Sequence, residues 1–183
     1  MDYFLKSDRL GFRCWQSEDL PVAMKLWGDP KVSALIGGPF TPELVRARLE
    51  REIERMHNLG FQYWPVFLLD GDLHAGCAGL QPWGNEPGVY ELGFHLRRDF
   101  WGLGLATEAA RAVIDYAFGT LGADALIAGH HPRNRASRKV LLKLGFVYVG
   151  MQLYPPTGIV EPIYRLEPNP AWTGAGRGTV AVS

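Results

Sequence analysis

The sequence predicts an α/β domain of the α+β kind: a mixed, mostly antiparallel sheet of about seven strands flanked by about four helices. Three observations carry this. The middle of the chain holds three consecutive runs rich in aromatic and β-branched residues, joined by short turns, with no helix between them. In the second half, helical and strand patterns alternate, so at least one pair of strands is joined by a helix. The chain has 183 residues, 47% apolar and 21% charged, enough for one core without disulfides or a structural metal.

In chain order, Arg9 to Trp15 alternates, with Leu10, Phe12 and Cys14 on one face and Arg9, Arg13 and Trp15 on the other, which is a strand pattern. Ser17 reads as the cap of a first helix carrying Leu20, Met24 and Trp27 at helical spacing, ended by Asp29-Pro30. After a loop with Gly37, Gly38 and Pro39, Thr41 caps a second helix with Pro42 in its first position. Val45, Leu49, Ile53 and Met56 line one face of that helix, and its other face is charged and expected in solvent. Phe61 to Leu69, Leu73 to Gln81 and Val89 to Leu96 form the meander, divided by Asp70-Gly71 and by Asn85-Glu86-Pro87-Gly88. Leu105 to Phe118 is an alanine-rich helix, Ala123 to Gly129 a buried strand, and Asn134 to Leu144 a helix stopped by Gly145. Phe146 to Leu153 and Ile159 to Leu166 complete the sheet. A single domain over residues 9–167 is expected, with 168–183, marked by Pro168, Pro170, Gly174, Gly176 and Gly178, as a flexible tail or packing arm.

Basic and acidic residues balance at 19 each, with a pI near 7.0, which argues against nucleic acid or a membrane surface as partner. Cys14 and Cys77 form no CxxC pair and have no histidine at ligand spacing, so no metal is expected and a reducing compartment fits. His130 and His131 lack a carboxylate cluster and point apart in a turn, and the arginines around them read as a solvated face or a phosphate attractor. No apolar stretch has bilayer length and the first nine residues lack a signal-peptide pattern, so the protein is expected in the cytoplasm.

The most informative stretch is Asp99-Phe100-Trp101-Gly102-Leu103-Gly104-Leu105-Ala106-Thr107-Glu108, between a strand and a helix. Glycines there allow backbone N–H groups to approach a ligand, and the following helix start adds free N–H groups, a combination that binds pyrophosphate. The plainer reading is a tight strand-to-helix turn. A dinucleotide fingerprint lacks its third small residue, since Thr107 stands there, and an ATP-type phosphate loop lacks its Gly-Lys-Ser or Gly-Lys-Thr.

Strand alternation puts Val89, Glu91, Gly93 and His95 on one face, with Tyr90, Leu92, Phe94 and Leu96 toward the core. A carboxylate beside a glycine can face a cleft, where it would take the proton that an amine carries near neutral pH. Glu91 is therefore a candidate general base, against the alternative of an exposed or arginine-paired glutamate; His95 competes for the role. Asn134 is a natural cap for its helix, whereas Ser137 lies on the apolar stripe of Val140, Leu141 and Leu144, where a hydroxyl needs a partner.

These motifs, with Arg9-Leu10-Gly11-Phe12-Arg13, Glu91-Leu92-Gly93-Phe94-His95-Leu96, Asn134-Arg135-Ala136-Ser137-Arg138-Lys139-Val140-Leu141 and Lys143-Leu144-Gly145-Phe146, occur in an order that resembles the GCN5-related N-acetyltransferases (GNAT), in particular the ribosomal-protein alanine N-acetyltransferase (RimJ/RimL) branch, from Arg9 to Leu166. The resemblance implies acetyl-CoA as co-substrate, its pyrophosphate on the turn of Gly102, Leu103, Gly104, Ala106 and Thr107. Its pantetheine would lie beside a splayed strand end at Phe94 and Leu96. Asn134 would bond the pantetheine arm and Ser137 would stand near the sulfur as a proton donor. The position before the glycines where most members carry Gln or Arg is Asp99 here, so Arg97 or Arg98 would supply charge for phosphate. The position of the tyrosine that many members use as acid is Leu141. Some members carry a catalytic Glu at the position of Glu91.

The expectation is thus acetyl transfer to a primary amine by direct attack in a ternary complex, the oxyanion held by backbone N–H groups between Phe94 and Leu96. The acceptor is a small molecule or a peptide N-terminal amine, and a homodimer is compatible with the apolar C-terminal strands. Two alternatives stay open: a non-catalytic acyl-CoA-binding regulatory module, and a nucleotide-dependent oxidoreductase built on Gly102-Leu103-Gly104.

Overall fold

The computed structural model describes residues 2–169; of the expected tail, residues 170–183 lie outside them. The meander forms as β3 (Tyr63–Leu68), β4 (His74–Pro82) and β5 (Val89–Leu96), paired antiparallel. Two short strands extend it, β1 (Leu5–Lys6) and β2 (Leu10–Phe12), β2 lying beside β3. On the other side of β5 comes β6 (Ala125–Gly129), paired parallel, and then β8 (Ile159–Leu166) and β7 (Val147–Tyr154). The result is one eight-stranded sheet in the order β1-β2-β3-β4-β5-β6-β8-β7. β5–β6 is its single parallel pair, joined by α4 (Leu105–Gly119) as the crossover.

Helices cover both faces. Ala109, Ala110, Val113, Ile114 and Ala117 of α4 are fully buried against Trp64, Val66, Ala78, Leu80, Leu92 and Leu126 of the sheet, and α5 (Arg135–Lys143) adds Leu141 to the same core. The small alanines let α4 approach the strands closely. The opposite face of the meander, through Tyr63 and Cys77, packs on Leu26 and Trp27 of α1 (Leu20–Trp27), Val32 of α2 (Pro30–Ser33), and Val45 and Leu49 of α3 (Pro42–Leu59). Among the described residues no helix is long and apolar enough to cross a membrane.

The sheet and helices match the fold expected from the sequence, with two additions. β1 is too short to show a period and forms because Leu5 and Lys6 pair with Phe12 and Gly11. α2 arises where the sequence reads as a stop: the Asp29 carboxylate accepts from the Lys31 N–H at 2.8 Å and Pro30 fills the first helical position, so the same dipeptide starts a new helix. Ser17 does not cap α1. It opens a 3₁₀ turn, Ser17–Asp19, and Asp19 stands before α1 with its carboxylate bound by Arg13 and the Gln16 N–H. Thr41 and Asn134 do cap α3 and α5, accepting from Leu44 and Ser137.

Leu126, fully buried between β5 and β8, carries the central packing. Leu126→Ala should lower unfolding free energy by about 2–5 kcal/mol, read as a fall in the urea midpoint without a change in slope.

Candidate active site

β5 and β6 are paired only at Val89–Ala125, Tyr90–Leu126 and Glu91–Ile127, although β5 runs on to Leu96 and β6 to Gly129. Beyond Glu91 the strands part. The β4 side of β5 is taken by the residues that alternate with Arg97, whose N–H bonds the Ala75 carbonyl at 2.9 Å, so the N–H groups of Phe94 and Leu96 point to the side where β6 has left. The Leu96 carbonyl accepts from the Trp101 indole at 2.8 Å, which anchors the following turn to the strand end.

A cavity of about 620 Å³ opens at this parting. Glu91, Phe94, His95, Asn134 and Ser137 line it, so the structure brings these candidates together. The Glu91 carboxylate accepts from the Gln81 amide at 2.5 Å. Burial raises its pKa, against the lowering effects of that bond and of Arg55. Gly93 beside it is required by space: a Cβ there would run into the Tyr63 hydroxyl and ring. His95 is held differently. Its Nδ1 meets the Trp27 indole N–H at 3.4 Å and the Cys77 sulfur at 3.5 Å, and burial followed by the charge of Arg48 pushes its pKa well below the ordinary histidine value. Burial thus disfavours the charged imidazolium and weakens His95 as a proton acceptor, whereas it strengthens Glu91 as one.

Three residues on the cavity wall were not read from the sequence as site residues. Glu161 of β8 is buried, one carboxylate oxygen has no hydrogen-bond partner, and burial followed by the charge of Glu91 raises its pKa to about 7. Tyr154 of β7 is half-buried, its pKa raised by burial and then by Glu91. Arg48 of α3 faces the cavity from the opposite helix layer. The charged face of α3 is therefore not simply solvated, as expected above: Glu52 is 2% exposed, accepts from the Tyr63 N–H at 2.9 Å and pairs with Arg55 at 3.0 Å. A carboxylate can be buried when an N–H and a guanidinium satisfy its oxygens, and strand β3 supplies the former.

The remaining candidates lie at the turn after β5, off the cavity wall. A 3₁₀ turn, Arg98–Phe100, leads to Gly102 and Gly104 at φ +76° and +79°, conformations that L side chains resist. A Cβ at Gly102 would meet nothing within 4 Å, so the space above the turn is open. Gly104 stands before α4 with no side-chain cap, which leaves the first N–H groups of the helix, at Leu105, Ala106 and Thr107, free of a capping acceptor. Arg9 braces this turn: its guanidinium bonds the Glu108 carboxylate at 2.7 Å and the Leu103 carbonyl at 3.1 Å, while Ser7 and the Arg9 N–H also donate to Glu108. Arg9 and Glu108 stand in the sequence motifs, but only their contact reveals the brace. Arg97 bonds the His74 carbonyl and Asp99 at 2.9 and 3.1 Å, and Arg98 lies 3.9 Å from Asp29. Among the described residues no cluster of three or more His, Cys, Asp or Glu is placed to hold a metal. His130 bonds the His131 carbonyl at 2.9 Å and stacks on Tyr164.

Comparison with known proteins gives the family to which this fold belongs. Residues 9–147 match the family described as an acetyltransferase (GNAT) domain. An uncharacterized N-acetyltransferase p20 from Bacillus licheniformis is 31% identical over 152 residues, covering 80% of this chain and 84% of that one. An FsC-acetyl coenzyme A-N(2)-transacetylase from Aspergillus fumigatus is 40% identical over 164 residues, covering 79% of this chain and 66% of that protein. A RimL ribosomal L7/L12 α-N-protein acetyltransferase, solved with coenzyme A, superposes with a TM-score of 0.75 over 88% of this chain and 95% of its own, at 16% identity, and so shares the fold. The chain belongs to the GNAT acetyltransferase family. It is an acetyl-CoA-dependent N-acetyltransferase, with acetyl-CoA as donor and an amine as acceptor.

Glu161 gives a test of the site's electrostatics. Its folded pKa, about 7, lies above the value of an unfolded glutamate, so folded protein holds the proton longer and stability falls as pH rises from about 4.5 to 7. Glu161→Gln should raise the unfolding free energy at pH 8 by about 1 kcal/mol once screening by the open cavity is counted, read as a higher urea midpoint, and the gain should vanish near pH 4.

Proposed function

We propose that the protein acetylates a primary amine by direct attack within a ternary complex, with Glu91 as general base. The observation that carries this reading is the convergence of Glu91, Phe94, Asn134 and Ser137 on one cavity where β5 leaves β6. Acetyl-CoA supplies, when bound, a thioester whose acyl carbon is open to attack by an amine.

The chain's own residues divide the work. The turn from Gly102 to Thr107 offers uncapped N–H groups and a helix start to pyrophosphate, and its openness above Gly102 fits a diphosphate laid against backbone. Arg9, Arg97 and Arg98 stand by the turn, each paired with a carboxylate, and can turn toward a phosphate. Phe94 and Leu96 offer the N–H groups left over by the parted strands, one to orient the carrier arm and one to polarise the acyl oxygen. Asn134 sits at the mouth of the gap, its Oδ1 spent on the Ser137 N–H at 3.1 Å, so its amide N–H₂ is the part available to a ligand. Glu91, with a pKa raised by burial, takes the ammonium proton directly or through one water and leaves a nucleophilic amine. Ser137 stands on the α5 side of the cavity to return a proton to the departing thiolate, with Leu141 one helical turn behind it.

The same reading places the protein in a reducing cytoplasm, in keeping with unpaired Cys14 and Cys77. It includes a homodimer through the outer sheet edge, where Val147, Val149, Met151 and Leu153 of β7 are each more than half exposed.

Glu91→Gln should lower kcat with acetyl-CoA and an accepting amine by about 10²–10⁴-fold and leave the calorimetric affinity for acetyl-CoA within about twofold. In the wild type, kcat/KM should climb with pH as Glu91 loses its proton, along a limb above the ordinary carboxylate range that the variant lacks. Gly104→Val forces a β-branched residue to φ +79° at the cradle and should weaken acetyl-CoA binding at least about tenfold. Tight acetyl-CoA binding without acetyl transfer to any amine would overturn this reading in favour of a regulatory acyl-CoA module.

A further inference from the structure

One charge on the cavity wall has no task in the reaction above. Arg48 of α3 is half-buried, and its guanidinium lies 4.6 Å from the centre of the Trp27 ring and 5.9 Å from that of Phe40. The cation–π contact with Trp27 holds the guanidinium against the ring. Its Nε is buried without a hydrogen-bond partner, and among the described residues no carboxylate lies within ion-pair distance of it. The acidic residue one helical turn on, Glu52, is already taken by Arg55 and the Tyr63 N–H. The terminal N–H groups of this guanidinium have no acceptor among the described residues and stand on the cavity wall, where they are open to a ligand. Its charge reaches His95, Tyr63 and Tyr154, all on the cavity wall.

The other end of the cavity is negative. Glu91 of β5 and Glu161 of β8 both line it, near enough for the charge of Glu91 to act on Glu161, and one Glu161 oxygen is buried without a partner. The cation and the carboxylates share one cavity without pairing, so the walls are charged as a complement to a zwitterion. The Trp27 indole, which donates to His95 at 3.4 Å, puts the Arg48 platform at the far end of β5 from Glu91. Four residues of strand separate His95 from Glu91, about 13 Å.

We infer that the acceptor carries a carboxylate several bonds from its reacting amine, and that Arg48 binds this carboxylate as a bidentate pair while the amine lies at Glu91 and Glu161. An ω-amino acid or short peptide has this form; an α-amino acid is too short to reach both ends. The inference rests on acetyl transfer with Glu91 as base. Arg48 is a specificity residue and touches no reacting atom. Both charges of the acceptor meet a partner of opposite sign on the cavity wall, whereas a plain alkylamine leaves Arg48 unpaired.

The experiment compares aminohexanoate, amine terminal, with aminohexanamide of the same length, glycine and triglycine serving as short and peptide arms. The ratio of kcat/KM for acid over amide is internal to each variant, so general loss of stability does not move it. Wild type should prefer the acid and triglycine at least about tenfold, mainly through KM, and glycine should be poor. Arg48→Gln should bring the ratio to about one, and Arg48→Lys, which keeps the charge without the fork, should fall between. Where turnover is too slow, calorimetric affinities of the same pair for the complex with CoA give the same ratio and decide in the same way. A wild-type ratio near one, or a ratio unchanged in Arg48→Gln, overturns the assignment. Acetyl-CoA calorimetry separates the two layers: binding with no preference for the acid removes Arg48's role alone, and absence of binding removes the proposed function and this inference with it.

Discussion

The site depends on one constraint: β6 is bound to two strands that run in diverging directions. It pairs with β8 from Leu126–Leu166 to Gly129–Ile163, nearly its whole length, while it pairs with β5 only as far as Glu91–Ile127. β5 for its part stays with β4 to the end, through Gly76–Leu96. The sheet is thus two well-bonded half-sheets that share a short parallel seam. Parallel pairs are slightly weaker per residue than antiparallel ones, so the seam is the place where twist can be released at least cost. Had the seam stayed closed to the end of β6 at Gly129, the Phe94 N–H would be spent on it and the opening between α5 and the strands would be smaller.

Each half-sheet then delivers its own side chains to the opening. The first half brings Glu91 and Gln81 from adjacent strands, in register with each other, together with the space that Gly93 leaves for the Tyr63 hydroxyl. The second half brings Glu161 and Tyr154 from the hairpin and Asn134, Ser137 and Leu141 from α5. Two carboxylates from different halves meet across the cavity, and the charge of Glu91 adds to burial in keeping Glu161 protonated to about pH 7. A carboxyl group that is neutral at low pH and charged at high pH next to an ionised one is an arrangement that can hold an ammonium group and release it as a free amine.

The sequence makes the local parts of this legible. The meander, the turn of Gly102 and Gly104, and the caps at Thr41 and Asn134 depend on residues within a few positions of one another, and period and turn chemistry find them. Glu91 was legible because a strand's alternation assigns its face before any partner is known. Arg48, Glu52 and Glu161 were not. Charges on an amphipathic helix or an edge hairpin read as solvated by default, and their burial is decided by which strand the chain returns to, here β3 under α3 and β8 inserted between β6 and β7. Ser17 failed as a cap for a nearer reason, since Asp19 two residues on is held by Arg13 and starts the helix instead.

The distribution of unpartnered buried polar atoms separates packing from purpose. Some are neutral and lie in the interior, such as the Trp64 indole nitrogen and the ring nitrogens of His74, whose pKa burial lowers to about 4. A neutral group without a partner costs little beyond one lost hydrogen bond. Among the described residues, the two that belong to arginine or carboxylate side chains, Arg48 Nε and Glu161 Oε1, sit in residues that line the cavity. Desolvated charge is the most expensive defect a fold can hold, and chance would scatter it or eliminate it. An arginine with no carboxylate partner among the described residues and a carboxyl group that burial keeps protonated to about pH 7, both lining one cavity, mark a place where a charged ligand can return stability that the cores on both sheet faces supply.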